Sequence, residues 1–342
     1  MASAVSSSSA ATASTAPAHA PGRDVARTHL LVFALMLAVL VIAPLAGVYP
    51  VFMMKVMCFA LFACAFNLLL GFGGLLSFGH AMFIGSAGYA AAHSAKVWGL
   101  TPELAVLFAT ACAGALGWVT GLLAIRRQGI YFAMITLALA QMVFFFFLQA
   151  PFTGGEDGLH GVPRGTVLGL NLNDEQTLYY FVVTIFVLAF WLIHRTVQSP
   201  FGQVLSAIRE NEPRTLSLGY DVARYKLLAF VLSAMLSGLA GATKVIVFKL
   251  ASLSDAHWHT SGEVILMSLV GGMGTIFGPV LGAGIVVSLR SMLADKVGSL
   301  VTVILGCIFV LCVLLFRRGI MGAVSAWTSG RARTEQTVQS SN

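Results

Sequence analysis

Two histidines frame a tryptophan in the short sequence HWH, where His257 and His259 lie close to Asp255 and Glu263. Imidazole and carboxylate groups are common zinc ligands in proteins, so a metal site is one interpretation of this cluster. HxH spacing alone is a weak metal signal, and Trp258 is typical of a polar loop at a membrane surface. The sequence therefore favours a loop, and we predict no metal.

His80 lies in the sequence SFGHA, within an apolar stretch and close to Ser77. An ionisable side chain at membrane depth is a functional-site hypothesis by default, for instance as a proton or ion relay. The structural alternative is a histidine that is hydrogen-bonded to a backbone carbonyl or that lies at the membrane surface. The sequence leaves both interpretations open.

Motifs for ATP hydrolysis and for intramembrane hydrolysis are absent from the sequence. The nearest imitation of GxxxxGK[ST] is GLAGATK, residues 238–244, which has the wrong spacing and lies in an apolar block. GxSxG and HExxH do not occur. We therefore expect that this chain is not an enzyme and does not bind a cofactor itself.

The chain is too apolar for a soluble fold. Of its 342 residues 58% are hydrophobic, and the mean hydropathy is +0.89. A helix needs about 20 apolar residues to cross a bilayer, and suitable blocks occupy residues 30–47, 51–70, 78–96, 102–124, 129–150, 177–194, 227–248, 263–290 and 298–316. The alternation of a β-barrel is absent. We predict an all-α, polytopic transmembrane helical bundle of about 8–9 spans, with Gly-broken or re-entrant segments.

Charge and cysteine usage fit a membrane protein. The formal net charge is +7, but Lys and Arg gather in the cytoplasmic loops of polytopic proteins for reasons of topology, so we predict no nucleic-acid partner. The 5 cysteines lie within apolar blocks, without CxxC spacing. We expect buried thiols rather than disulfides.

The domain organisation follows from composition. Residues 1–28 are predicted to be a disordered tail, residues 29–318 the membrane domain with a cytoplasmic loop at 197–226, and residues 319–342 a cytoplasmic C-terminal tail. The block at 263–290 is overlong and broken by glycines. If it dips into the membrane and returns, eight full spans remain and both termini are cytoplasmic.

Two apolar blocks are interrupted in a similar way. Gly73-Gly74 is followed by Phe78-Gly79, and Gly271-Gly272 is followed by Phe277-Gly278. Unwound backbone at membrane depth persists where it lines a pathway, whereas small residues also serve close helix packing. Candidate pathway residues are Gly73, Gly74, Ser77, Gly79, His80, Gly271, Gly272, Gly274, Gly278 and Pro279.

Charged residues gather in residues 199–230, between two apolar blocks, in a chain of which only 10% is charged. Val204, Leu205 and Ile208 share one face of a predicted helix. Pro213 suits the start of a second helix, and Gly219 suits its end. We predict two short helices that meet near residues 211–212 and contact a partner. The alternative is an amphipathic helix at the membrane surface.

These segments resemble the branched-chain amino acid permeases of ABC importers, in particular the LivM type. The matching blocks occur in order and are NLLLGFGGLLSFGHAMFIGSAGYAA, YFAMITLALAQM, TGGEDGL, SPFGQVLSAIRENEPRTLSLGYDVARYKLLAF and LVGGMGTIFGPVLGA. In that family a cytoplasmic loop similar to residues 197–226 docks into the ATPase. The resemblance implies ATPase-coupling contacts by Arg209, Glu210, Asn211, Glu212, Arg214, Leu218 and Gly219.

Pro213, Thr215 and Ser217 depart from the family pattern, in which helix formers are commoner. The resemblance also implies a bacterial inner-membrane complex with ATPases that bind ATP-Mg, a second and related permease subunit, and a periplasmic substrate-binding protein. Docking of that protein is expected at Thr153, Gly154, Gly155, Glu156, Asp157 and Gly158, and at residues 254–259.

The function implied is inward movement of branched-chain or related hydrophobic amino acids by alternating access. Relatives also carry urea, amides or other amino acids, and nothing in the sequence selects among these. The alternative function is an ion-coupled secondary transporter or a channel for a small solute, with His80 as a relay.

Overall fold

A computed structural model describes residues 22–42, 44, 47, 49–167 and 169–297, with residues 303, 304, 306, 307, 310 and 321. Helix α1, Gly22–Ile42, forms a unit of its own, and the elements after it form the second unit. Helix α1 begins N-terminal to the domain boundary that we predict at residue 29. Residues 1–21 of the predicted tail, Cys312, and nearly all of the last predicted span and the C-terminal tail lie outside the described residues.

The described part of the second unit is built almost wholly of helices. Its elements are α2 (Pro50–Asn67, continued by a π-helical turn at Leu68–Phe72), α3 (His80–Lys96), α4 (Pro102–Ala124), α5 (Ile130–Gln149), β1 (Leu159–His160), β2 (Thr166–Val167), β3 (Leu170–Asn171), α6 (Glu175–Gln198), α7 (Pro200–Glu210), α8 (Glu212–Ser217), α9 (Val222–Phe248), β4 (Leu250–Ala251), α10 (Trp258–Gly271) and α11 (Gly278–Val297). Short 3₁₀ turns lie at Pro151–Thr153 and Leu253–Ala256.

Five helices of the described part are long and apolar enough to cross a membrane: Pro50–Phe72, α4, α5, α6 and α9. Helices α3 and α10 are shorter, and the block at 263–290 is broken into α10 and α11. The helical membrane fold is thus confirmed, and the count of about 8–9 spans stays a prediction.

Helix α9 is central and packs against α2, α3 and α4. In the most apolar 18-residue stretch of each helix, 78% of the residues are buried in Pro50–Phe72 and 72% in α9, against 22% in α5. Small residues permit this packing: a Cβ at Gly238 would lie 2.3 Å from Cβ of Ala113, and one at Gly241 would lie 2.2 Å from the carbonyl oxygen of Ile84.

The four two-residue strands lie in the connections and depart slightly from the all-α prediction. Strand β1 pairs with β4, and β2 pairs with β3, both antiparallel. Arg164 donates to the carbonyl oxygens of Ile246, at 3.2 Å, and Val247, at 2.7 Å, so it satisfies the end of α9. These bonds fix the loop after α5 against the end of α9.

Asp174 begins helix α6 as its N-cap. Its carboxylate accepts from Oγ1 of Thr177 at 2.8 Å and from the backbone N–H of Thr177 at 3.0 Å. These bonds hold the pKa of Asp174 below its usual value, because they stabilise the charged form. The helix therefore starts at a defined residue after the long loop.

Helices α10 and α11 form an antiparallel pair joined by residues 272–277. Gly282 of α11 lies so close to α10 that a Cβ would be 1.9 Å from the carbonyl oxygen of Met267. Arg290 and Glu263 form an ion pair at the far end of the pair from the turn. Whether this segment dips into the membrane and returns, or crosses it twice, stays a prediction.

Candidate functional site

The predicted coupling segment is two helices, α7 and α8, separated by Asn211. The side chain of Asn211 accepts from the backbone N–H of Arg214 at 3.0 Å and caps α8. Pro213 lies in the first turn of α8, where its missing N–H costs nothing. Gly219 has φ +88° and ends the segment in a left-handed turn. Two helices that meet at residues 211–212 are therefore confirmed.

Helix α7 packs on the bundle and α8 faces outward. Leu205 and Ile208 are buried, as their helical spacing predicts. In α8 it is Thr215 that is buried, whereas Leu216 is 61% exposed and Leu218 is 71% exposed. The apolar side chains of α8 thus point away from this chain. We call Leu216, Leu218 and the exposed Tyr220 the outward patch.

Glu212 anchors α8 to the bundle. Its carboxylate accepts from Nζ of Lys226, in α9, at 2.7 Å and from Nε2 of Gln128, between α4 and α5, at 2.9 Å. Lys226 is buried, so the pair is shielded from solvent on that side. Glu212 therefore serves this chain's own packing, whereas the resemblance assigns it a partner contact.

Arg209 links the coupling segment to both Gly interruptions. Its guanidinium donates to the carbonyl oxygen of Gly71, in the π-helical turn after α2. A Cβ on Gly74 would lie 3.0 Å from Cγ of Arg209, and one on Gly274 would lie 3.1 Å from Nη1. The end of α7 thus touches both places where the helices break.

The two interruptions also touch each other directly. Asn67 donates from Nδ2 to the carbonyl oxygen of Thr275 at 2.9 Å, and Oδ1 of Asn67 accepts from the N–H of Gly274 at 3.1 Å. A Cβ on Gly71 would lie 2.6 Å from the nitrogen of Gly274. We call Asn67, Gly71, Arg209, Gly274 and Thr275 the junction.

Within the second interruption, the turn is closed by its own residues. Oγ1 of Thr275 donates to the carbonyl oxygen of Gly272 at 2.8 Å and accepts from the N–H of Gly278 at 3.1 Å. Gly272 has φ +115° and Gly274 has φ +75°. Side chains with a Cβ are strained there, which explains the glycines.

Close approach also explains the neighbouring small residues of this turn. A Cβ on Gly271 would lie 2.0 Å from the carbonyl oxygen of Gly278 and 3.0 Å from the nitrogen of Pro279. The predicted pathway residues Gly271 and Gly278 therefore have no room for a side chain, and Pro279 borders this close approach.

The first interruption is held by helix α5. The N–H of Phe78 donates to Oγ1 of Thr136 at 3.2 Å, and Ser77 accepts from the N–H of Gly79 at 3.2 Å. A Cβ on Gly79 would lie 2.7 Å from the carbonyl oxygen of Thr136. Ser77 and Gly79 therefore fit against α5 in the interior of this chain.

His80 is completely buried in an aromatic environment. Its Nε2 lies 2.8 Å from Oγ of Ser233, which donates to the carbonyl oxygen of Ala65 at 2.6 Å. Its ring meets those of Phe66 and Phe83 edge to face. His80 is thus held inside this chain by a hydroxyl rather than by the backbone carbonyl of the structural alternative, and its role in the pathway stays a prediction.

The predicted docking loop after α5 divides into framework and exposed residues. Thr153 is completely buried and donates to the carbonyl oxygens of Phe147 and Ala150. Gly154 and Gly158 have positive φ and lie too close to backbone oxygens for a Cβ. Of the residues that we predict to dock, Glu156 and Asp157 carry exposed charges, and Gly155 lies partly exposed beside them.

A cavity of about 820 Å³ opens where this loop meets residues 250–260. Both predicted docking regions line it, through Glu156 and through Ser254, Asp255, His257 and His259. Asp255 forms an ion pair with Lys244, and Nδ1 of His259 lies 3.5 Å from Oε1 of Glu263. Among the described residues no group of three or more His, Cys, Asp or Glu side chains could hold a metal.

Sequence reasoning missed Asn67, Thr136 and Ser233, which hold the interruptions and His80 in place. Each is a polar residue within an apolar block, and a buried polar group requires a partner. That signal marks such residues as structurally important, but it does not identify the partner, which comes from a distant part of the chain.

Gly71 should tolerate no side chain. We expect that Gly71→Ala lowers the free energy of unfolding by about 1–3 kcal/mol, the usual cost of overpacking, because its Cβ would meet Asn67 and Gly274. The measurement is the thermal midpoint of the detergent-solubilised chain. The control is Gly262→Ala in α10, where nothing lies within 4 Å. An unchanged midpoint for Gly71→Ala would contradict the junction.

Comparisons with known proteins show the family of this chain. A family model described as "Branched-chain amino acid transport system / permease component" matches residues 49–316. The high-affinity branched-chain amino acid transport system permease protein LivM of Escherichia coli K12 is 27% identical over 263 residues, which cover 70% of this chain and 62% of that protein. The match therefore spans less than two thirds of that relative.

Two further relatives are a second LivM and a ribose permease. LivM of Salmonella typhimurium is 26% identical over 307 residues, or 82% of this chain and 72% of that protein. The ribose import permease protein RbsC of Bacillus subtilis is 29% identical over 243 residues, or 65% of this chain and 70% of that protein. No solved structure gives a significant match.

Proposed function

The chain belongs to the permease components of branched-chain amino acid transport systems, and from this premise we propose that it is a subunit of an ABC importer. It moves branched-chain or related hydrophobic amino acids inward by alternating access, and a separate ATPase drives the cycle. Permeases of this kind carry the pathway and not the catalytic site, so ATP-Mg is bound by the partner.

The observation that carries this proposal is the position of Arg209. It belongs to the coupling segment and contacts both interruptions through Gly71 and Gly274. A partner that moves α7 thereby moves the places where the membrane helices break. Such a connection between a soluble motor and a pathway is what an ABC permease requires.

The outward patch is the candidate docking site for the ATPase. Leu216, Leu218 and Tyr220 are exposed on a projection of the chain. Large apolar side chains exposed on a water-facing surface mark interaction sites. We propose that the patch lies in the cytoplasm and fits a groove of the ATPase. Glu212 and Asn211 then hold α8 in shape rather than meeting the partner.

Alternating access would proceed at the junction. When the ATPases close, α7 and α8 move, and Arg209 shifts the turn after α2 relative to the turn between α10 and α11. The glycines that fill the junction permit backbones to slide at short distance. Packed contacts of this kind switch between discrete arrangements, so a small shift at α7 can open one side of the path.

The opposite end of the bundle would receive the periplasmic binding protein. Glu156 and Asp157 are exposed there, on a loop whose backbone is fixed by Thr153 and by the pairing of β1 with β4. A rigid loop with exposed carboxylates suits recognition by a basic surface. A second permease subunit, related to this chain, completes the proposed complex in the bacterial inner membrane.

Reconstitution tests the proposed function. The full chain with its second permease and ATPase is placed in liposomes, and uptake of radiolabelled leucine is measured with binding protein outside and ATP inside. We expect uptake only when ATPase, ATP and binding protein are all present. Uptake by the chain alone under a proton or sodium gradient would instead support the secondary transporter.

A further inference from the structure

The cavity at the loop end is lined by charged and apolar side chains that face one another. Three helices each contribute two lining residues: Lys55 and Phe59 on α2, Phe144 and Leu148 on α5, and Lys244 and Phe248 on α9. The two residues of each pair are four positions apart and so share one face of their helix. The loop residues and Arg290 of α11 close the other side. At about 820 Å³ the cavity has the size of a small-molecule site.

Two ion pairs neutralise most of the charge in the cavity. Lys244 pairs with Asp255, and Arg290 pairs with Glu263. All four side chains are at least half withdrawn from solvent. Charges held in this way are already satisfied by each other, so they contribute little to attraction of a further ion.

Lys55 is the cation left over. It is half-buried, and no described residue forms an ion pair or hydrogen bond with its Nζ. It lies close enough to Arg290, Lys244 and Glu263 for their charges to interact. The two cations among these neighbours have carboxylate partners of their own, so Lys55 is the lining cation without a counterion among the described residues.

The remaining walls are apolar. Nζ of Lys244 lies 5.1 Å from the centroid of the Phe59 ring. Phe144, Leu148 and Phe248 line the same space. A solute with one carboxylate and one hydrocarbon group would meet a suitable partner at each end. A sugar, which carries hydroxyl groups all round, would leave these walls without a matching surface.

We infer that this cavity is a binding site for the carboxylate of a small solute with an apolar group, and that Lys55 is its counterion. Glu156, which also lines the cavity and has no ion-pair partner among the described residues, would meet an ammonium group on the same solute. The inference deepens the proposed function and rests on it only in treating the cavity as the outer mouth of the pathway.

Thiol protection tests the site without requiring transport. Ser254→Cys places a thiol on an exposed lining residue, and its alkylation rate is measured in the assembled complex without binding protein. The unsubstituted complex gives the background from native cysteines. We expect L-leucine and 4-methylpentanoate to slow alkylation, whereas leucinol, which lacks the carboxylate, and D-ribose do not.

Lys55→Met on this background should raise the half-protecting concentration of leucine at least roughly tenfold, the order expected for a charge-assisted hydrogen bond. Lys55→Arg should restore most of the protection. Lys96→Met is the matched control, because Lys96 is an exposed lysine outside the cavity.

Two results would overturn the inference. They are equal protection by leucinol or ribose, and unchanged protection by leucine in Lys55→Met. Failure of the proposed function looks different, since the complex would then show no ATP-dependent uptake while thiol protection could still be measured.

Discussion

Arg209→Met should reduce ATP-driven uptake about 5- to 150-fold while the complex still assembles, since coupling between sites typically amounts to about 1–3 kcal/mol. Methionine keeps most of the length of the apolar stem but cannot donate to the carbonyl oxygen of Gly71. The ATPase would then still bind the outward patch, yet its closure would move α7 without moving the turn after α2. ATP hydrolysis should continue with little transport.

The measurement is the number of leucine molecules moved per ATP hydrolysed, in liposomes that contain equal amounts of complex. Arg195→Met is the matched control, because Arg195 is an exposed arginine in the last turn of α6 and lies outside the junction. Arg209→Lys should recover part of the ratio, since the lysine ammonium can still donate a hydrogen bond but lacks the planar guanidinium. If Arg209→Met leaves the ratio at the wild-type value, Arg209 is not the link.

Local features of the coupling segment could be predicted from the sequence. Pro213 and Gly219 mark where α8 begins and ends, and the spacing of Leu205 and Ile208 identifies the buried face of α7. These are properties of a few neighbouring residues, so the sequence determines them directly. Which face of α8 is exposed to a partner could not be predicted from the sequence, because Thr215 is buried only through tertiary packing.

The junction shows why long-range features escaped prediction. Both Gly interruptions were recognisable, since unwound backbone at membrane depth needs a special environment. Nothing in the sequence indicated that Asn67 would bond to residues 274 and 275 or that Arg209 would reach Gly71. These contacts join residues far apart in the chain, and they depend on how α2, α7 and α10 pack together.

His80 and Thr153 illustrate a different difficulty. Each was a candidate for contact with a solute or a partner, and each is completely buried with hydrogen bonds inside this chain. A polar residue in an apolar block has to be satisfied, and the sequence cannot tell whether a solute or the protein does so. Their roles as pathway and docking residues stay predictions, and their contacts favour a structural role.

Leu216→Glu combined with Leu218→Glu should abolish association with the ATPase. Both side chains are more than half exposed in the outward patch, so the substitutions bury no charge in this chain and should leave it folded in the membrane. In a docked complex each glutamate would enter an apolar contact, where such central residues contribute about 2 kcal/mol or more. Two such losses correspond to a decrease in affinity of roughly several hundredfold.

The measurement is the amount of ATPase that copurifies with the tagged permease, together with ATP hydrolysis in the eluate. Leu170→Glu is the matched control, because Leu170 is 62% exposed but lies in the loop at the opposite end of the bundle. Deletion of residues 212–219 should give the same loss. Copurification at the wild-type yield by the double variant would show that the ATPase docks elsewhere. In that case motion could not reach Arg209 through α8, and the proposed route from the motor to the junction would fail with it.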